Sequence, residues 1–357
     1  MINHYKNGIT ILKQCFMDFR VINHEVVCKY SSALWLKKQN SLFLFAPQYH
    51  DCIHDYRECN YLLDIEKNIT IVLSNKVVQV SLYNVYRHDG EGKYQTAIIL
   101  QYILPPQCFK ENFLKIEINK KIHIVSPCDL EKKDGIAIST VFKYDYSNLQ
   151  LYIDFYRKIH NIKRFILFFN GNIEKITHHL KSIAIEDTEV VIYELNLPYW
   201  QNFCLKQHWT DVWAHSCQSI QLAMAAVLSA YYSSHLLCVD LDEYIDDKLC
   251  IEQLLKHTEV AYFLSKTTKC DGKFCRQKKK ISLEELLEQM HSHDFEKVID
   301  INIYDVWRHD PKFMQKTNGI KLRLVHQPVT ANQPTVAGYI YHYKCLSPSS
   351  TGPRHCS

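Results

Sequence analysis

Glycine is scarce, with nine residues in a chain of 357. Neither the G-x-x-x-x-G-K-[ST] phosphate loop nor the G-x-G-x-x-G dinucleotide turn occurs, so a bound nucleotide must be held by another device. Paired cysteines are lacking too. The 14 cysteines are scattered and form no C-x-x-C pair. Cys270 and Cys275, which flank Asp271-Gly272, come nearest, and no second pair follows to complete a four-ligand zinc site. These thiols read as reduced and mostly buried, as in a cytosolic protein. The first residues, Met1 to Asn7, lack a charged-then-apolar leader. No run approaches the roughly 18 apolar residues that span a bilayer. A cytoplasmic enzyme without a transmembrane segment, or a processed fragment, is the expectation.

Charge of one sign is also missing. Lys and Arg total 42 against 38 Asp and Glu, a net charge of +4. That balance is too mild to imply nucleic acid, though it suits an anionic substrate. With 47% hydrophobic residues the chain can build a large core without a metal or disulfide. Its length suits two domains.

Two textures divide the chain. Up to about residue 130 it alternates with the period of a half-buried strand. Val78, Val80 and Leu82 interleave with Gln79, Ser81 and Tyr83, then Asp89-Gly90 leads to the apolar stretch from Tyr94 to Leu104. Leu114, Ile116 and Ile118 alternate with Lys115 and Glu117, and Asn119-Lys120-Lys121 turns into Ile122 to Val125. These are hairpin signals, so residues 1–134 are expected to form a smaller antiparallel β-rich accessory domain, a sandwich or a curled sheet. The polar stretch Glu131 to Gly135 reads as the junction.

Residues 135–357 alternate strand with helix, which implies an α/β domain with a mostly parallel sheet. Ile136–Val141, Phe165–Phe169, Glu189–Leu195, Leu236–Val239 and Val260–Leu264 read as strands. Ser147 and Gln150 have capping-box spacing, followed by Leu151, Phe155 and Ile159 on one helical face. Trp213, Cys217, Ile220, Met224, Val227 and Tyr231 predict a strong amphipathic helix, and Ser282 with Glu285 predicts another capped helix through Met290. The last residues, from Ser347, look loose.

The chemistry concentrates at Asp240-Leu241-Asp242-Glu243, directly after the apolar run Leu236-Leu237-Cys238-Val239. If that strand continues, Asp240 and Asp242 project to one side. Their hard oxygen donors suit Mg²⁺ or Mn²⁺, and such an ion can bridge a diphosphate. The plainer reading is that acidic residues open a loop after a strand.

Asp240-Leu241-Asp242-Glu243-Tyr244-Ile245 resembles the D-[VL]-D-E-[FY] signature of glycosyltransferase family 92 (DUF23-like) and related family 2-like glycosyltransferases. Ser139 to Asp145 is similar to that family's first strand and its polar exit. Leu151-Tyr152-Ile153-Asp154-Phe155-Tyr156 resembles its E-W-I-x-[YF]-H helix, with Tyr152 and Tyr156 in place of Trp and His. Phe165 to Asn170 resembles the second strand. Gln218 or Gln221 stands where the family has a helix glutamine. Val325-His326-Gln327-Pro328 and Tyr341-His342-Tyr343-Lys344-Cys345-Leu346-Ser347 resemble its H-x-P and H-Y-x-x-x-S elements. The likeness runs over roughly residues 135–347.

The resemblance implies a GT-A fold and a metal-dependent, inverting transfer of sugar from a nucleotide-sugar donor to a glycan or glycoprotein acceptor. It implies Asp242 as the direct metal ligand and Asp240 at the ribose or the metal's hydration shell. His342 would complete the metal shell; as a plain side chain it is equally a hydrogen-bonded core histidine. Thr140, Lys143, Asn170 and Gln221 would contact the donor, and Lys143 could equally be a solvated loop residue. Ser265 to Lys273 stands where the family has a Trp- and Gly-containing acceptor segment, so the acceptor and the base do not carry over. An inverting enzyme needs a general base, for which Asp271 and Asp310 are candidates; turn chemistry explains Asp271-Gly272 as well. Arg276 to Lys280 reads as a solvated loop, with diphosphate or peripheral membrane contact as the other reading. The alternative function is a non-catalytic carbohydrate-binding or structural protein with a degenerate GT-A fold. A nucleotidyltransferase ranks last, for want of a Gly-rich phosphate loop.

Overall fold

The computed structural model describes residues 2–4, 9–12, 18–22, 25–30, 32–47, 67–73, 76–86, 97–118, 120–128, 130, 135–143, 146–195, 216–267, 281–291, 312–321 and 335–343. The chain is mixed α/β. It opens with strands β1 (Ile2–His4) and β2 (Ile9–Leu12), then the hairpin of β3 (Asp18–Ile22) and β4 (Glu25–Tyr30). Next come β5 (Ser32–Leu36), β6 (Ser41–Pro47), β7 (Asn68–Val72), β8 (Val77–Tyr86), β9 (Ala97–Ile103), β10 (Leu114–Ile118) and β11 (Lys121–Val125). These last seven form one sheet in the order β11-β10-β7-β8-β9-β6-β5, and every adjacent pair in it is antiparallel. Its ends almost meet: Trp35 bridges Pro127, and the Cys128 N–H donates to the Trp35 carbonyl at 2.7 Å.

The curl of this sheet follows from double-sided burial. Ala33, Trp35, Leu42, Leu44, Ile98, Leu100 and Tyr102 point into its own core. Their neighbours Leu34, Leu36, Phe43, Phe45, Ala97 and Ile99 point the other way, into a second core. With a period of two, a strand that is apolar at every position must be covered on both faces. The expected turn between β10 and β11 is present: Ile118 pairs with Lys121, and Lys120 takes the left-handed conformation, φ 62°.

The second part runs through β12 (Ile136–Phe142), α1 (Leu149–Lys158), β13 (Arg164–Phe169), α2 (Thr177–Ser182), β14 (Glu189–Glu194), α3 (Ser216–Tyr232), β15 (His235–Cys238), β16 (Glu243–Ile245), α4 (Ile251–His257), β17 (Val260–Thr267), α5 (Leu283–His291), β18 (Lys312–Lys316) and β19 (Thr335–His342). Its sheet has ten strands in the order β1-β2-β14-β13-β12-β15-β18-β17-β19-β16. The sheet is parallel from β2 through β15, but β18 runs antiparallel to both β15 and β17. The expectation of a mostly parallel sheet therefore holds for one half only.

Three further expectations change. Residues 2–12, assigned by pattern to the accessory domain, lie in the ten-stranded sheet. Ile9 and Ile11 are fully buried in its core, with β2 parallel to β14. Helix α3 is not amphipathic: every residue from Cys217 to Ser229 is buried, because the helix lies between the two sheets. A helix covered on all sides needs no polar face, and its hydroxyls turn inward, as Ser229 does onto the Ala225 carbonyl at 2.7 Å. Finally, Ser147 and Gln150 form no capping box. Asn148 is the N-cap but its side chain makes no capping hydrogen bond, and Gln150 instead spans to the Ala184 backbone, accepting from its N–H at 2.8 Å. The Ser282–Glu285 box does form, with reciprocal bonds of 2.8 and 3.1 Å. Among the described residues no helix is long and apolar enough to cross a membrane.

His235, at the start of β15, is buried with Nε2 lacking a hydrogen-bond partner. Burial, helped by Lys316, lowers its pKa to about 4. Burial lowers that of His160 as well. A depressed histidine pKa means the unfolded chain binds protons more readily, so the stability is present above about pH 6.5 and is lost as pH falls toward 4. Urea unfolding of the wild type is expected to lose about 1 kcal/mol more between pH 7 and 5 than a His235→Gln variant, after allowance for solvent screening. Parallel pH profiles of the two proteins would contradict this.

Candidate functional site

Chain order and strand order part company between β12 and β15. From β12 the chain proceeds outward through β13 to β14, and β15 then returns to the other side of β12. In many α/β sheets, loops leaving parallel strands on either side of such a reversal diverge and bind ligands beyond the strand ends; here the Asp242 side chain itself is 8% exposed. The segment Asp240-Leu241-Asp242 leaves β15 at that point.

The strand does not continue through it. Asp240 to Glu243 form a tight turn, closed by the Glu243 N–H donating to the Asp240 carbonyl at 3.1 Å. The alternation argument for the two aspartates therefore fails, and other contacts set their directions. Five consecutive carbonyls of the segment are satisfied from within the protein. Tyr152 Oη donates to Val239 O at 3.3 Å and Tyr156 Oη to Glu243 O at 2.8 Å. Tyr244 Oη donates to Leu241 O at 3.1 Å, and the Tyr343 N–H to Asp242 O at 2.8 Å. The fifth is the Asp240 carbonyl already described. The two tyrosines of α1 thus hold the turn. A Tyr156→Phe variant leaves the buried Glu243 carbonyl without that donor and is expected to cost about 1–3 kcal/mol in urea unfolding; an unchanged midpoint would refute the role.

The side chains form a network of alternating charge. Lys312, opening β18, places Nζ 2.9 Å from Asp240 Oδ2 and 3.2 Å from Glu243 Oε2. Glu243 Oε2 also accepts from the Asp240 N–H at 2.8 Å. Lys312 and Glu243 are 5% and 3% exposed, whereas Asp240 is 38% exposed and faces outward. His342, cross-strand partner of Glu243 in β19, reaches Asp242 Oδ2 with Nε2 at 3.3 Å.

Electrostatics follow from this geometry. Burial opposes a charge on His342, but the Asp242 hydrogen bond and charge outweigh it, with Glu243 and Asp240 adding, and raise its pKa to about 9. Burial likewise opposes the Lys312 ammonium, and the Asp240 and Glu243 carboxylates hold it above the ordinary lysine range. Glu243 is pushed upward, because its burial outweighs the attraction of Lys312.

Among the described residues no three His, Cys, Asp or Glu side chains converge in a metal-ligating set. A pair does fit. Two donors bound side by side to one small divalent ion, each at about 2.1 Å, stand about 3 Å apart. The separation of His342 Nε2 from Asp242 Oδ2, 3.3 Å, is close to that. Asp240 fits less well, since its carboxylate already holds the Lys312 ammonium.

The other expected site residues fall in two groups. Thr140 lies inside β12, two residues before its end, and Asn170 just after β13; both are 2% exposed, and Lys143 just beyond β12 is exposed. Gln221 is buried on α3 and donates to Ser139 Oγ at 2.7 Å, a bond that ties the helix to β12; Gln218 is buried beside it. Asp271 and Asp310, the candidate bases, lie outside the described residues, as do His326 and Pro328. The Lys312–Glu243 pair has no local signature in sequence. The one sequence signal for Lys312 is a lysine opening the apolar run Phe313-Met314, and its register opposite β15 is not local information.

Comparison with protein-family models gives no match, and comparison with curated proteins gives none either.

Proposed function

We propose that this chain is a divalent-cation-dependent glycosyltransferase that moves a sugar from a nucleotide-sugar donor to a glycan or glycoprotein hydroxyl. The observation that carries the reading is the Asp242–His342 pair, set 3.3 Å apart where the parallel strand order reverses. The resemblance of the segment from Asp240 to Ile245 to family 92 and family 2-like enzymes adds to it, and a GT-A organisation agrees with the strand order β14-β13-β12-β15.

In this reading Asp242 and His342 hold Mn²⁺ or Mg²⁺, which neutralises charge on the departing diphosphate. Asp240, outward-facing, offers its carboxylate to the ribose hydroxyls. Lys143, at the exit of β12, is placed to meet the nucleotide. The five satisfied carbonyls fix the turn before any ligand arrives, so little ordering entropy remains to be lost on binding. The acceptor base is to be sought among residues such as Asp271 and Asp310.

A second reading, a carbohydrate-binding or structural protein with this fold, draws on the internal neutralisation of Asp240 and Glu243 by Lys312. Thermal-shift measurements with nucleotide diphosphates and nucleotide-sugars, with and without Mn²⁺, separate the two. The transferase reading expects a nucleotide-dependent rise in Tm that requires Mn²⁺, because ligands of the native state stabilise it by mass action. Glycan-induced shifts with no response to any nucleotide would favour the second reading.

A further inference from the structure

The carboxylates around the turn are not equivalent. Asp240, Asp242 and Glu243 crowd within one four-residue stretch, and like charges so close cannot all stay ionised without nearby cations. The protein supplies one from below. Lys312 is fixed by backbone register: Phe313 of β18 pairs with Cys238 of β15, so Lys312 lies just beyond the end of β15, under the turn. Its ammonium is nearly sealed from solvent and bridges Asp240 Oδ2 and Glu243 Oε2. Glu243 in turn holds the Asp240 N–H, so lysine, glutamate and aspartate form a closed ring of contacts. Asp242 is absent from this ring and faces His342 instead.

We propose that Lys312 is a resident counter-cation that withdraws Asp240 and Glu243 from metal ligation, so that among the described residues Asp242 and His342 are left to grip a divalent ion. Lys312 is then a positioning residue acting through Asp240. It decides which of three adjacent carboxylates meets the ion and weakens the site's attraction for cations by its own positive charge. Two protein donors leave most of the coordination shell to water and diphosphate, which is how small divalent ions commonly bind where they bridge substrate phosphates. The ion then binds well only together with the donor. This inference rests on the cation-dependent reading above and says how that site divides its labour.

The test is Mn²⁺ binding to the full chain, read as loss of the free-ion electron paramagnetic resonance signal without nucleotide. Asp242→Asn and His342→Gln are each expected to weaken Mn²⁺ at least tenfold. Asp240→Asn is expected to change it less than threefold. Lys312→Met, checked for folding by near-ultraviolet circular dichroism, is expected to bind Mn²⁺ at least tenfold more tightly, because the Asp240 carboxylate is released and one positive charge is removed. Lys312→Arg is expected to stay near wild type. A loss for Asp240→Asn equal to that for Asp242→Asn overturns the proposal, whether or not the Lys312 variant folds. So does an unchanged affinity in a folded Lys312→Met protein, or a wild type that takes up no Mn²⁺. Mn²⁺ binding with the expected ranking, but no response to any nucleotide, would sink the transferase reading and leave the role of Lys312 standing.

Discussion

Lys312→Met is expected to destabilise the protein by about 3–5 kcal/mol, the range for breaking a buried ion pair from one side. The methionine can fill much of the volume of the lysine stem, so packing is a small part of the loss. The larger part is electrostatic: Glu243, 3% exposed, and Asp240 keep their carboxylates and lose the ammonium that both contact. The effect has a pH signature. Without Lys312, the folded pKa of Glu243 rises further above its unfolded value, and a raised carboxyl pKa adds stability at low pH that is lost as pH rises. The variant is therefore expected to sit closer to wild type at pH 5 than at pH 8 in urea unfolding. A deficit independent of pH would assign the loss to packing instead. The double variant Lys312→Met/Glu243→Gln should recover part of the loss, since the buried negative charge goes with its partner.

Asp242→Ala is expected to lower kcat/KM for nucleotide-sugar turnover at least 100-fold, a loss of about 2.7 kcal/mol of transition-state stabilisation. Its carboxylate is the one Asp side chain of the turn that faces a second donor, His342, rather than the Lys312 ammonium. Folding should survive. The turn is held through backbone carbonyls by Tyr152, Tyr156, Tyr244 and Tyr343, and the substitution removes none of these bonds. His342 loses the partner that raises its pKa, so the variant gives up stability at and below neutral pH, and its folding is checked by urea unfolding alongside turnover. Wild-type turnover in a folded Asp242→Ala protein would remove the central residue of the proposed function. Lost turnover with Mn²⁺ affinity intact would move Asp242 from ion binding to substrate contact.

Local pattern made much of the framework legible, and the failures have specific causes. The strands at Ile136–Val141, Phe165–Phe169 and Leu236–Val239 could be read because strands buried on both faces are apolar at nearly every position. The Ser282–Glu285 cap was readable because its bonds lie within one helical turn. The same reasoning failed at Ser147-Gln150, where a long-range bond from Gln150 to Ala184 took the place of the local one. It failed for α3, whose helical spacing is real but whose polar positions are also buried, because a second sheet covers the side that pattern assigns to water. It placed Ile9 to Leu12 with the wrong sheet, since alternation marks a strand without naming its partner.

The amino-acid sequence by itself marked the strands around 78–82, 114–125, 136–141, 165–169, 189–195, 236–239 and 260–264, the helix through Cys217 to Tyr231 and the capped helix from Ser282, and showed that two aspartates leave a buried strand together. Each follows from side-chain period and burial over a few residues. The tertiary structure alone decided that the strand ends before those aspartates, that His342 meets Asp242 across a gap of 100 positions, and that Lys312 arrives beneath Asp240 across 72. Such contacts depend on strand order and register, which are settled by how whole faces pack and not by any short stretch of sequence.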